Sequence, residues 1–117
     1  MFNKLKNYKK FIDGLVKIRK SVAASRFRNG VWHREPPPEQ VKYNELLKTL
    51  TEQQRLLIAD IIQGAADSAI HDVLVYLTDN EYRISKNKKL LPEEPFETSL
   101  HWDFVCRMEG DEWPDES

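Results

Sequence analysis

The stretch that most limits what this chain can fold into runs from Thr51 to Asp79, TEQQRLLIADIIQGAADSAIHDVLVYLTD. It holds no proline and is the most apolar part of a polar sequence. Leu57, Ile58, Ile61, Ile62, Ala65, Ala69, Ile70, Val73, Leu74 and Leu77 recur in it at helical spacing. Thr51 and Gln54 have capping-box form, in which hydroxyl and amide each take the other residue's backbone N–H. The first punctuation after them is Asp79-Asn80. One long central helix over about 51–79 is expected, apolar on more than one side, with the other elements packed against it. Gly64, Ala65, Ala66, Ser68 and Ala69 make a small-residue patch that lets another backbone approach, and Gly64 could mark a bend. Val73 to Leu77, VLVYL, would fit a strand equally well on its own. The unbroken spacing before it favours helix.

The flanking segments read as shorter elements. Leu5, Tyr8, Ile12, Leu15 and Val22 predict a helix over Asn3 to Asn29, closed by Gly30 as C-cap. Val31 to Pro38 is a connector stiffened by Pro36, Pro37 and Pro38. Pro38 to Leu50 is a short helix with Tyr43, Leu46, Leu47 and Leu50 on one face. Tyr82 to Leu91 is a small hairpin with Asn87 in its turn. Such a hairpin is marginal alone and must lie on the helices. Pro92 to Glu97 is a linker. A last helix follows to about Glu109, capped by Thr98 or Ser99, with Leu100, Phe104 and Met108 as its main stripe. The expected fold is mainly α: about four helices around the central one plus a hairpin over about 82–91, in a single domain spanning 1–117. An acidic tail begins at about 110, and Trp113, out of place in a solvated tail, should be docked.

The charges are segregated although the net charge is only −1. Between Met1 and Arg34 every charge but Asp13 is Lys or Arg, and between Glu93 and Ser117 every charge but Arg107 is acidic. Either the two ends neutralise each other or the basic end meets an anionic partner. Cys106 is the single cysteine, which rules out an intramolecular disulfide and a cysteine zinc site and fits a reducing cytoplasm. No targeting segment and no apolar run of about 20 residues, the length of a membrane span, is visible.

Candidate chemistry is sparse. Asp60, Asp67 and His71 share a stripe of the central helix. Asp67 and His71, one turn apart, offer two ligands to a divalent metal, with His101, Asp103 or Asp72 as a third. The plainer reading is a solvated pair. His101, Asp103 and Cys106 cluster on the last helix, but His101 and Cys106 are five apart and point in different directions, so Cys106 reads as a small hydrophobe. Arg26, Phe27, Arg28, Trp32, His33 and Arg34 interleave bases with aromatics, as single-strand binders do. The near-neutral charge and the absence of a nucleic-acid module argue against that, and Phe27 and Trp32 read better as anchors of a turn. The four glycines are scattered, and no phosphate loop, HExxH, GxSxG or CxxC occurs.

Three stretches, VWHREPPPEQ, IHDVLVYLTD and EPFETSLHWDFVCRMEGDEWPDE, in this order resemble a family of small uncharacterised bacterial cytoplasmic proteins, a domain of unknown function. The resemblance implies a bacterial, single-domain, cytoplasmic protein and assigns no catalytic residue. With no catalytic constellation and no cofactor motif, the leading expectation is a non-enzymatic protein-binding module, with a protein partner or a second copy of itself. Trp32, Arg26, Arg28, Trp102 and Trp113 are its candidate contact residues. A metal-dependent enzyme using Asp67, His71 and His101 is the alternative, and nucleic-acid binding by Lys4 to Arg34 the third.

Overall fold

A computed structural model describes residues 2–114. Asp115 to Ser117, the end of the acidic tail, lie outside the described residues. The element order is α1 (Phe2–Ile18), α2 (Val22–Asn29), a 3-10 turn (Pro38–Gln40), α3 (Val41–Thr49), α4 (Glu52–Asp79), β1 (Ser85–Lys86), β2 (Lys89–Leu90) and α5 (Leu100–Met108). The protein is therefore mainly α with one antiparallel hairpin, as the residue periodicities predict.

The long helix forms as expected. Thr51 Oγ1 accepts from Gln54 N–H at 3.1 Å, and Gln54 Oε1 accepts from Thr51 N–H at 2.9 Å, which closes the capping box. Val73 to Leu77 is helical, and α4 runs unbroken through Gly64. Its contacts are less complete than its apolar width suggests. Ala59 and Leu74 are buried, but Leu56, Leu57, Ile61, Val73 and Tyr76 are exposed.

The single helix expected over Asn3 to Asn29 is two helices. Ser21 takes an extended backbone and caps α2 by accepting from Ala24 N–H at 3.2 Å. Its own N–H donates to Gln63 Oε1 at 2.9 Å. A serine that can satisfy backbone groups locally competes with helix continuation, and here it wins. Gly30 ends α2 at φ 77°, and Gly110 follows α5 at φ 93°.

The chain forms two compact units, residues 1–19 with 68–117 and residues 20–67. In the first, Tyr8, Ile12, Leu74, Leu91 and Phe104 form the core, flanked by Phe11, Ile70, Ile84, Phe96, Leu100 and Trp113 among others. The hairpin turns through Asn87 and Lys88, both at positive φ (52° and 67°), the requirement of the tight turn that matches strand twist. It is held to the core by Ile84 and Leu91, which share a 2.8 Å backbone bond. Asp13 and Arg107, the minority charges of the two ends, pair at 2.8 and 3.3 Å. Trp113 is docked there too. Its Nε1–H donates to Asp13 at 3.2 Å, and its ring lies against Phe96 and under the Arg107 guanidinium.

The second unit buries Ala24, Leu47 and Ala59. Asn44 clasps the connector: its Oδ1 accepts from Trp32 N–H (2.7 Å) and His33 N–H (3.3 Å), and its Nδ2 donates to His33 C=O (2.7 Å). Arg55 donates to the terminal carbonyls of α2, Phe27 at 3.3 Å and Arg28 at 3.0 Å. Gly30 stands at φ 77°, which favours glycine, and a Cβ there would stand 2.5 Å from the Arg55 guanidinium and push that side chain aside.

Candidate functional site

In the first unit α1 and α5 meet through a buried carboxylate. Asp103, 5% exposed, accepts from the Tyr8 hydroxyl and, on its other oxygen, from Thr98 Oγ1–H. Two hydroxyl donors are what a buried carboxylate needs to offset desolvation. The Tyr8 phenol is pushed well above its usual range, first by burial, then by its bond to Asp103, then by the negative charges of Asp103 and Glu94. Tyr8 therefore stays a donor throughout ordinary pH.

Beside Tyr8 opens a cavity of about 590 Å³, within the range of small-molecule sites. Its floor includes Tyr8, Ile84, Leu91 and Leu100, and its wall includes Glu81, Tyr82, Arg83, Glu93, Glu94 and Glu97. Arg83 is committed: Nε lies 3.2 Å from Glu93 Oε1, and Nη2 donates to Leu91 C=O at 2.7 Å. Glu81, Glu94 and Glu97 sit at φ 61°, 43° and 63°, left-handed conformations that cost a side chain about 1–2 kcal/mol. The Tyr82 ring stacks on Tyr76, with centroids 5.9 Å apart. Sequence reasoning takes Pro92–Glu97 as a linker and misses this site. The available signal was an acidic Glu-Glu pair between two prolines, next to the apolar Leu90-Leu91.

The metal-ligand candidates are only partly brought together. His71 and His101 meet edge to face with centroids 5.2 Å apart. His71 Nδ1 lies 3.3 Å from Asp72, His101 Nε2 lies 3.1 Å from Ser99 Oγ, and His101 Nδ1 is buried with no partner among the described residues. Asp67 accepts from Gln63 Nε2–H at 2.9 Å. Among the described residues no group of three His, Cys, Asp or Glu side chains converges as a metal site requires. Burial first, and then Asp111, pushes the Cys106 thiol up, which suppresses the thiolate a nucleophile needs.

The candidate contact residues lie as follows. Trp32 is half-buried. Its Nε1–H donates to Gln40 at 3.0 Å, and its ring packs against Phe27 and Tyr43 with Arg26 over it at 4.7 Å. Arg28 lies 3.8 Å from Asp60. Trp102 is 57% exposed, while Trp113 is packed as described. No helix among the described residues is long and apolar enough to cross a membrane.

The fold and the Tyr8–Asp103 cluster are this chain's own evidence, because no curated protein matches it and no solved structure does. A family model does match, over residues 1–115, and covers α1 through the docked Trp113. The chain belongs to that family, the family of unknown function DUF6547.

Proposed function

We propose that this is a non-enzymatic cytoplasmic binding protein that pairs with a second copy of itself through the exposed face of α4. The observation that carries the reading is that Leu57 and Ile61, 57% and 71% exposed, continue along the same helix into exposed Gly64, Ala65 and Ser68. Large apolar side chains left in water side by side on a long helix call for a partner. Between Asp60 and Asp67 the helix carries no charge, so two copies can cross there without like-charge contact. Gly64 and Ala65 allow close approach at the crossing. In a two-fold arrangement the same patch serves both sides, with Ile61 of each copy packing near the other's small residues. A patch this narrow supports a modest dimer, with Kd on the order of 10 μM.

Light scattering across a concentration series tests it. The expected result is a mass that rises from monomer towards dimer through the micromolar range. Ile61→Asp should hold the chain at monomer mass with unchanged helical circular dichroism. A wild-type chain that stays monomeric at several times that concentration overturns the self-pairing.

A further inference from the structure

We propose that the cavity beside Tyr8 binds a small organic cation: an ammonium or guanidinium group carried on a short apolar chain. Carboxylates alone would be a solvated rim. What makes a site here is a cavity of about 590 Å³, half open to solvent, with apolar side chains lining it beside them. The wall carries four carboxylates and one guanidinium. That guanidinium is already engaged by Glu93 and the Leu91 carbonyl. Glu81, Glu94 and Glu97 make no side-chain ion pair among the described residues, so a cation entering the cavity meets carboxylates ready to accept from it. Anions are repelled for the same reason.

The rest of the lining chooses the kind of cation. Leu91 is 6% exposed, and with Ile84 and Leu100 it offers a surface suited to methylene groups. Glu94 and Tyr8 line the same cavity, so a head group held by the glutamate stays close to the apolar lining. Tyr82 presents an aromatic ring from the wall, a favourable neighbour for ammonium or guanidinium. A bare divalent ion would want several oxygens converging on one point, and the described residues hold no such group. An alkyl amine or alkyl guanidine uses both halves of the cavity: head group to the glutamates, chain to the floor.

Isothermal titration and amide-shift NMR on the full chain test this with 1,5-diaminopentane and agmatine. 1-Pentanol is the neutral control, and a lysine-containing peptide asks whether the same head group is instead recognised on a protein. Saturable binding of the amines with shifts at Ile84, Leu91 and Glu94, and none by the alcohol, is expected. Glu94→Gln with Glu97→Gln should weaken binding about tenfold or more. Glu81→Gln alone should weaken it less, and serves if the double variant does not fold. Because glutamine keeps the size of glutamate, a loss reports charge. Binding that ignores these substitutions, that is matched by 1-pentanol, or that appears only with the peptide overturns the proposal, as does the absence of saturable shifts at millimolar amine.

Discussion

Phe104 and Ala59 are both fully buried, each inside a different unit. Phe104 sits among Tyr8, Ile12, Leu74 and Leu91, side chains large enough to remove much apolar area from water. Ala59 shares its unit's buried positions with Ala24 and Leu47, which remove far less. That unit is held instead by polar groups that tie loops to helices: Asn44 on the connector, Arg55 on the end of α2, Gln63 on Ser21. A burial-based core resists the loss of any one hydrogen bond. A unit held by side-chain clasps depends on each of them, and opens locally at lower cost.

The sharpest way to break this contrast is to damage each unit in its own terms. Phe104→Ala should cost about 3–5 kcal/mol, through lost transfer energy and the cavity left behind. Urea unfolding would show it as a lowered midpoint at unchanged slope. A loss below about 1 kcal/mol, the scale of a surface change, would mean that the aromatic core does not dominate its unit. Asn44→Ala removes the acceptor of two backbone N–H groups and one donor, and should cost about 2 kcal/mol, since part of the connector can turn to water. Hydrogen exchange should then accelerate in α2, α3 and the connector and stay slow in α1 and α5. Equal acceleration in all five helices would show that the two units open together, and the comparison would fail.

The apolar core was the more legible of the two. Tyr8, Ile12, Leu74 and Phe104 each stand in a helical stripe, and Trp113 announces its docking as an aromatic in an acidic tail. Asp13 and Arg107 also stand out, each alone among opposite charges, although nothing local says that they meet. Asp103 was not legible. The sequence offers it only as a possible metal ligand and a neighbour of His101 and Cys106, and its donor Tyr8 lies 95 residues away in the chain. The break at Ser21 is hidden for a related reason. The helical period passes straight through it, and the bond that favours the break comes partly from distant Gln63. The cavity was invisible because its lining comes mostly from the segments between α4 and α5, three of whose glutamates stand in left-handed backbone conformations that no periodicity encodes.

Tyr8 sharpens the picture of the first unit through pH. Its phenol keeps its proton when folded and releases it above about pH 10 when unfolded. The unfolded chain then binds fewer protons than the folded one, so stability falls as pH rises past 10 and is untouched by this group below it. The slope contributed is about 1.4 kcal/mol per pH unit. Lysines titrate in the same range, so the measurement is a difference. Tyr8→Phe should lose stability at neutral pH, because Asp103 gives up a donor, and then decline less steeply than the wild type above pH 10. Parallel curves would mean that the Tyr8 hydroxyl is not sealed against Asp103 as described.

The smallest effect concerns the boundary between stability and the cavity. Glu97, at φ 63°, donates its N–H to Glu94 C=O at 2.9 Å, so its backbone shape is set by the turn and not by its side chain. Glycine adopts that shape freely but loses more entropy on folding. Relief of about 1–2 kcal/mol is therefore offset by about 0.5–1 kcal/mol, which leaves a net gain of about 0.5 kcal/mol. Glu97→Gly should raise the melting temperature by about 2 °C, whereas Glu97→Gln, equally strained, should leave it unchanged. Both should weaken amine binding. If glycine stabilises and amine affinity falls together with the charge, the first unit carries strain at Glu97 in a place where a carboxylate is useful. If glycine destabilises, the Glu97 side chain contributes contacts to the folded unit that outweigh its backbone strain.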